Sequence, residues 1–329
     1  MISQNYIERP DARKEYEKFL DSDSLVFCIH GFSGHGKSTL IRQIQQTNYA
    51  DEDNPFAIYD FISGYDFAAL LNGIFEQLCT DFQSESYKFY SNSRDSVLMQ
   101  RGNQKIEISQ EMINSVASNQ IINANLRETV DALDSQVRQR LTEVWLDSLS
   151  SIIKPNTVLF FDSFERFINQ SLVSDLQWFW QTLERLQKRI STLKVVVCSQ
   201  IQEIRMSDAV MFELKTFTTS QSQNLLSEMG VDDSGYANAI YEKLAQGHPL
   251  VTTLGGKLWL SKSGKVSSDE IPNVGTISEA VRWVHGQIIE ALEEPLRSIM
   301  RWGALLRVFH LDLLKVVLPN TNLTSDDFF

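Results

Sequence analysis

SLVFCIHGFSGHGKSTLIRQIQQ, residues 24–46, is the stretch whose reading decides the fold. Leu25 to Ile29 form a compact apolar run rich in β-formers, as in a strand buried on both faces. Glycines follow, and Lys37 to Gln46 reads as a helix. Strand, glycine loop and helix open a βαβ unit. Inside it, Gly31 to Ser38 fits G-x-x-x-x-G-K-[ST] in full. Gly31, Gly34 and Gly36 allow positive φ, so the backbone N–H groups around Ser33 and His35 can turn together toward phosphate oxygens. Lys37 brings a point charge to the β- and γ-phosphates, and Ser38 brings a hydroxyl to Mg2+. The helix that starts here, with Thr39 in its first turn, adds its positive dipole end.

Working outward, residues 10–20 read as a short amphipathic helix and 56–61 (FAIYDF) as a second strand. Residues 67–82 read as an amphipathic helix with Leu70, Leu71, Ile74, Phe75 and Leu78 on one face. Residues 83–125 are polar and weakly periodic and read as an insertion of short helices and a mobile loop. Helical periodicity resumes over 126–153. TVLFFD (157–162) is a third strand, 172–190 a helix, and LKVVVCS (193–199) a fourth strand. MFELKTF (211–217) suits one more short edge strand. Alternating strands and helices predict an α/β layer with a mainly parallel sheet. From Ser220 the text is helical, broken by GKVSSDEIPNVGT (264–276), which reads as a linker.

A phosphate loop needs an acid at the end of a neighbouring strand to hold the magnesium shell, and Val158 to Asp162 is four apolar residues followed by a carboxylate. Glu165, three residues on, stands where a water-orienting base could sit. It equally suits a first-turn acid favoured by the helix dipole, or a partner of Arg166. Gln200 follows the fourth strand, where a polar residue can sense a γ-phosphate. Gly247-His248-Pro249 reads as a helix stop followed by a helix start.

The 329 residues are 43% hydrophobic and 22% charged, which fits roughly two globular domains and argues against wholesale disorder. Net charge −12 disfavours non-specific nucleic-acid binding. Three scattered cysteines argue against a disulfide framework or a cysteine zinc site. No apolar run reaches 18 residues and the polar N-terminus has no signal-peptide core, so a cytoplasmic protein without a membrane span is expected.

The order of these parts resembles the STAND class of P-loop NTPases, which includes the NACHT and NB-ARC signalling ATPases. IERPDARKEYEKFL (7–20) is similar to the N-terminal element of that class, with Arg9 at its basic position near the adenine. GFSGHGKSTL resembles Walker A, LFFDSFE the Walker B form with a second acid, VVVCSQ the sensor-1 strand, and GHPL the GxP motif, whose proline, here Pro249, packs on adenine. LLRVFHLDLLKVVLP looks like the start of a winged helix. The resemblance implies a three-layer P-loop core over 1–218, with 83–125 inserted. A helical lid over 219–263, the linker, and the beginning of a winged-helix domain over 277–329 follow. It implies an ATP/ADP switch with Mg2+ and slow hydrolysis coupled to lid movement and self-association or an effector, in bacterial defence or regulation. The chain is expected to be the N-terminal part of a longer protein. Two departures stand out: Gln200 replaces the usual sensor arginine, and Lys37 and Asp162 are unusually far apart in sequence. The rival reading is an AAA+-like DNA-associated ATPase of the origin or transposition loader type, which the acidic charge weakens.

Overall fold

Five short runs of β-branched and aromatic residues pair side by side: β1 (Val26–His30), β2 (Phe56–Asp60), β3 (Val158–Asp162), β4 (Lys194–Ser199) and β5 (Val210–Glu213). The computed structural model describes residues 7–48, 55–79, 81–115, 121–202, 208–292 and 297, excepting the side chains of 47–48, 63, 105–115 and 121–133. All four pairings are parallel, in the order β2-β3-β4-β1-β5. β3 and β4 are buried throughout, as their uninterrupted apolar text requires. β5 alternates half-buried and exposed positions, as befits an edge strand. Because every strand runs the same way, the segments after β1, β3 and β4 leave from one edge of the sheet, where α/β folds bind ligands.

The described chain packs as two units. The first is Pro10–Phe32 with Lys37–Glu213, and the second comprises the described parts of Met1–Arg9, Ser33–Gly36 and Leu214–Phe329. In the first lie α1 (Pro10–Leu20), α2 (Lys37–Asn48), α3 (Phe67–Leu78), α4 (Glu85–Ser115), α5 (Ile121–Ile152), α6 (Phe164–Gln170) and α7 (Val173–Arg189). Its core holds a cluster of rings: Phe61 stacks on Phe167 at 4.9 Å, and Phe161 meets Phe179 edge-on at 4.9 Å. Such ring pairs contribute about 0.5–1.5 kcal/mol each beyond their burial. Phe164 and Phe167 anchor the seven-residue α6 in this cluster and so fix the turn that carries Glu165.

Residues 83–115 depart from the expected short helices: α4 is one helix of 31 residues. It lies antiparallel to α5, with Ser86 bonded to Ser151, Gln100 to Arg140, and Arg101 to Asp134 at 2.9 Å. In its N-terminal half Tyr90 stacks on Phe75 at 3.9 Å, and Val97 and Leu98 pack against the core. Further along, polar pairs to α5 take over. The α5 helix also begins at Ile121, earlier than its periodicity suggests. On its other side it is tied to α7 by Arg138–Asp175, by Trp178 Nε1 donating to Thr142 at 2.8 Å, and by Arg185–Glu143 at 2.6 Å.

The second unit contains α8 (Thr219–Glu228), α9 (Ser234–Ala239), α10 (Pro249–Ser261) and α11 (Ile277–Ala291). Thr218 and Gln221 form a capping box at the start of α8, worth about 1 kcal/mol. Beyond α9 the chain widens into a π-helical turn, Ile240–Ala245, which ends in two left-handed residues, Gln246 and Gly247. Tyr236 is fully buried, its hydroxyl donating to the Gly255 carbonyl at 2.9 Å and its ring 4.7 Å from Trp259. The expected linker is packed: Val266 and Ile271 are buried in this core on either side of a capped turn, Ser268–Glu270. Val274 packs against the same core, its N–H donates to the Lys243 carbonyl at 3.1 Å, and Lys243 Nζ donates to the Ser268 carbonyl at 3.1 Å. Of the expected winged-helix start only α11 is described, and it packs by Ala280 and Val284 into the same core; the rest of 293–329, Arg297 apart, lies outside the described residues. Among the described residues, no helix is long and apolar enough to cross a membrane.

Candidate functional site

β1 ends at His30 and the chain turns through Gly31, Gly34 and Gly36, all at positive φ, into α2 at Lys37. Five successive carbonyls of this loop accept hydrogen bonds. Lys37 Nζ donates to those of Gly31 (2.7 Å) and Phe32 (3.0 Å). His248 Nε2 reaches Ser33 O at 2.9 Å, the Leu250 N–H reaches Gly34 O at 3.2 Å, and Arg9 Nη2 reaches His35 O at 3.3 Å. A planar trans peptide sets each carbonyl antiparallel to the next N–H. With the last three carbonyls held from behind, the N–H groups of Gly34, His35 and Gly36 face the opposite way. In the sheet unit, the first N–H groups of α2, at Lys37, Ser38 and half-buried Thr39, have no intrahelical acceptor.

Lys37 is buried, and burial lowers its ammonium pKa, while the charges of Glu165 and Asp162 oppose the shift. Asp162 ends β3 with 6% exposure. Burial raises its carboxyl pKa; hydrogen bonds from the Ser38 hydroxyl and the Ser163 N–H, the latter at 2.8 Å, lower it. Ser163 is left-handed (φ 55), and this turn sends the chain into α6. Ser38 and Asp162 thus place two hard oxygen donors in contact, which fits Mg2+ with water completing the shell. Among the described residues, no group of three His, Cys, Asp or Glu side chains is arranged to hold a metal.

Glu165 is bound at both oxygens by one residue. The Gln200 N–H donates to Oε2 at 3.1 Å and its Nε2 to Oε1 at 3.0 Å. Arg166 turns elsewhere, donating to the Ile62 carbonyl at 3.3 Å. Lys37, Ser38, Asp162, Glu165 and Gln200 therefore gather in the sheet unit.

Arg9, Ser33, Gly34, His35 and Pro249 gather in the helical unit. Arg9 is 6% exposed, donates to Lys215 O at 3.0 Å, and lies 4.2 Å over the Phe217 ring. The His35 ring bonds Leu214 O through Nδ1 at 2.8 Å. Pro249 is buried as the first residue of α10. Two residues with evident roles escape the sequence reading. His248 looks there like part of a helix start, yet its ring is buried against the loop. Asp60 sits opposite Asp162 in register and adds its charge beside it. A second apolar strand ending in Asp, FAIYD, was the available signal.

Gly247 (φ +80) closes the segment that presents His248. A Cβ there would stand 2.3 Å from the Phe217 carbonyl oxygen, whose own N–H bonds Gly247 O at 2.7 Å. Gly247→Ala is expected to cost at least about 2 kcal/mol. Gly230→Ala has the same backbone demand (φ +89) but nothing closer than 3.9 Å, and should lose about 1 kcal/mol. Chemical-denaturation midpoints of the two variants check the order; equal losses would refute the clasp.

Residues 12–163, a little under half of the chain, match the family model described as Nephrocystin 3, N-terminal. Three solved structures are similar to the chain. A Signal Transduction ATPase with Numerous Domains carrying a tetratricopeptide repeat sensor, from Pyrococcus horikoshii, shares 13% identity over 98% of this chain, with a TM-score of 0.47. This chain spans 38% of the length of that protein. The Walker-type ATPase of Pyrococcus abyssi shares 14% over 98% of this chain and 87% of its own, with a TM-score of 0.48. Cdc6p from Pyrobaculum aerophilum shares 11% over 88% and 70%, with a TM-score of 0.49. No curated protein matches the chain by sequence.

Proposed function

We propose that this chain, a P-loop NTPase by its parallel sheet, glycine loop and strand-end acid, binds ATP and ADP with Mg2+ and hydrolyses ATP slowly as a switch of the STAND kind. The loop carries the reading: the carbonyls of Ser33, Gly34 and His35 are engaged from behind, which turns the peptides that follow each of them toward the side where an anion would bind. Lys37 neutralises the phosphate chain and orients the γ-phosphate for in-line attack. Mg2+ held by Ser38 and Asp162 would draw charge from the β- and γ-phosphates. Glu165 takes the proton of the attacking water. Gln200 donates to both its oxygens in this structure and so competes with the attacking water for the base, which supports slow turnover. Gln200, just past β4, is assigned the role of reporting the γ-phosphate to Glu165, which its two bonds to that residue support. Pro249 and Arg9 stand for the adenine side by resemblance. We assign the helical unit the responsive part, and self-association or an effector the output.

The purified chain should release ATP or ADP on heating, bind adenine in preference to guanine nucleotides, and liberate phosphate only with Mg2+, well below the median enzyme rate of about 10 per second. Absence of any nucleotide affinity would end this reading. Turnover stimulated by DNA, with salt-sensitive DNA binding, would replace it with the DNA-associated ATPase.

A further inference from the structure

We infer that His248 is the positioning residue of the phosphate loop, holding the Ser33 carbonyl from behind so that the following peptides present their N–H groups to a polyphosphate. The inference rests on the loop being a polyphosphate site and adds what sets its shape. His248 is the N-cap of α10, yet its side chain makes no capping bond to that helix. It is 4% exposed and turns instead to Ser33 O, at 2.9 Å. A carbonyl only accepts, so Nε2 carries the proton and Nδ1 is left as a buried acceptor with no hydrogen-bond partner among the described residues. An unsatisfied buried acceptor is unfavourable. The arrangement therefore keeps one specific bond at the expense of the other ring nitrogen. Burial lowers the ring's pKa, which keeps it a neutral, single-proton donor.

The bond is one of three. Leu250, two residues on, donates its N–H to the next carbonyl, Gly34 O, and Arg9 donates to the one after, His35 O. Three adjacent peptides are thus held by three donors from the helical unit and the N-terminal segment. Steric contact reinforces them: a Cβ on Gly34 would lie 2.6 Å from His248 Cε1 and 2.9 Å from Leu250 Cβ. A shift of the α10 start would tilt these peptides and change how the loop grips phosphate. His248 therefore links the helical unit to phosphate affinity without touching the phosphate itself.

Three substitutions separate the hydrogen bond from mere packing. His248→Phe keeps a ring and loses the donor. His248→Asn keeps an amide but ends where Nδ1 sits, short of Ser33. His248→Gln carries an N–H out to the place of Nε2. Calorimetric titration of the whole chain with ADP, and separately with inorganic pyrophosphate, reads the loop with and without a nucleoside, and melting midpoints report folding. His248→Phe and His248→Asn should each bind both probes about tenfold more weakly, and His248→Gln within about threefold of wild type. Either donor-less variant suffices if the other fails to melt cooperatively. Wild-type affinity in a folded donor-less variant would overturn the inference, as would equal losses in all three. Wild-type protein that binds neither probe would remove the underlying reading, a result distinct from both.

Discussion

Lys37→Ala should abolish measurable ATP and ADP binding, with a loss of roughly a thousandfold. Lys37 is the one cation that the loop motif places at the phosphates, and it is buried, so its bonds to an anion are charge-assisted and poorly screened. Removing two or three such bonds, at about 1.5–3 kcal/mol each, accounts for that scale. The fold should not suffer in proportion. Burial lowers the lysine pKa, so the folded protein already holds its charge at a cost, and the bonds lost are to Gly31 O and Phe32 O, at the rim of the loop. The expected pattern is a ligand-free melting midpoint close to wild type, with the rise on adding Mg-ADP gone. Calorimetry and thermal melts together test it. Unchanged ATP affinity would place the nucleotide elsewhere.

Glu165→Gln should leave binding within a few-fold and lower the hydrolytic rate by at least about a hundredfold, in the range of general-base losses. The substitution is nearly isosteric. Its new amide can still meet Gln200, because the Gln200 side chain can turn its oxygen toward the added N–H while its backbone N–H keeps an acceptor. The segment pinned by Phe164 and Phe167 should stay in place, so the loss falls on chemistry. Single-turnover phosphate release, beside an ATP titration, separates the two. A variant that hydrolyses at the wild-type rate would return Glu165 to being a first-turn acid.

The sheet was readable because its evidence is local. VFCIH, VLFFD and KVVVCS are short apolar runs bounded by breakers, and the glycine loop carries its own spacing. The edge strand at Val210–Glu213 could be read from MFELKTF for the same reason. What escaped depends on partners far away in the chain. The three roles open to Glu165 could not be ordered from sequence, because the residue that binds it is Gln200, 35 positions on. His248 passes for punctuation until its ring is seen against Ser33, 215 positions earlier. The long α4 has almost no periodic signal, and its Gln100 and Arg101 pair with α5 residues more than thirty positions on. In 264–276 the Gly, Ser and Pro content outweighed two apolar residues that the tertiary core recruits.

The antiparallel run of α4 and α5 also bears on how the sheet assembles. β2 and β3 are neighbours, with Phe56 opposite Val158, although about a hundred residues separate them. Bringing the ends of so long a flexible segment together lowers chain entropy by an amount that grows with the logarithm of its length. A pair of helices that doubles back deposits the chain beside its point of departure. Once the hairpin has zipped, the search left to the two strands is that of a short connection, and material could be added at its far end with little effect on the speed of sheet formation.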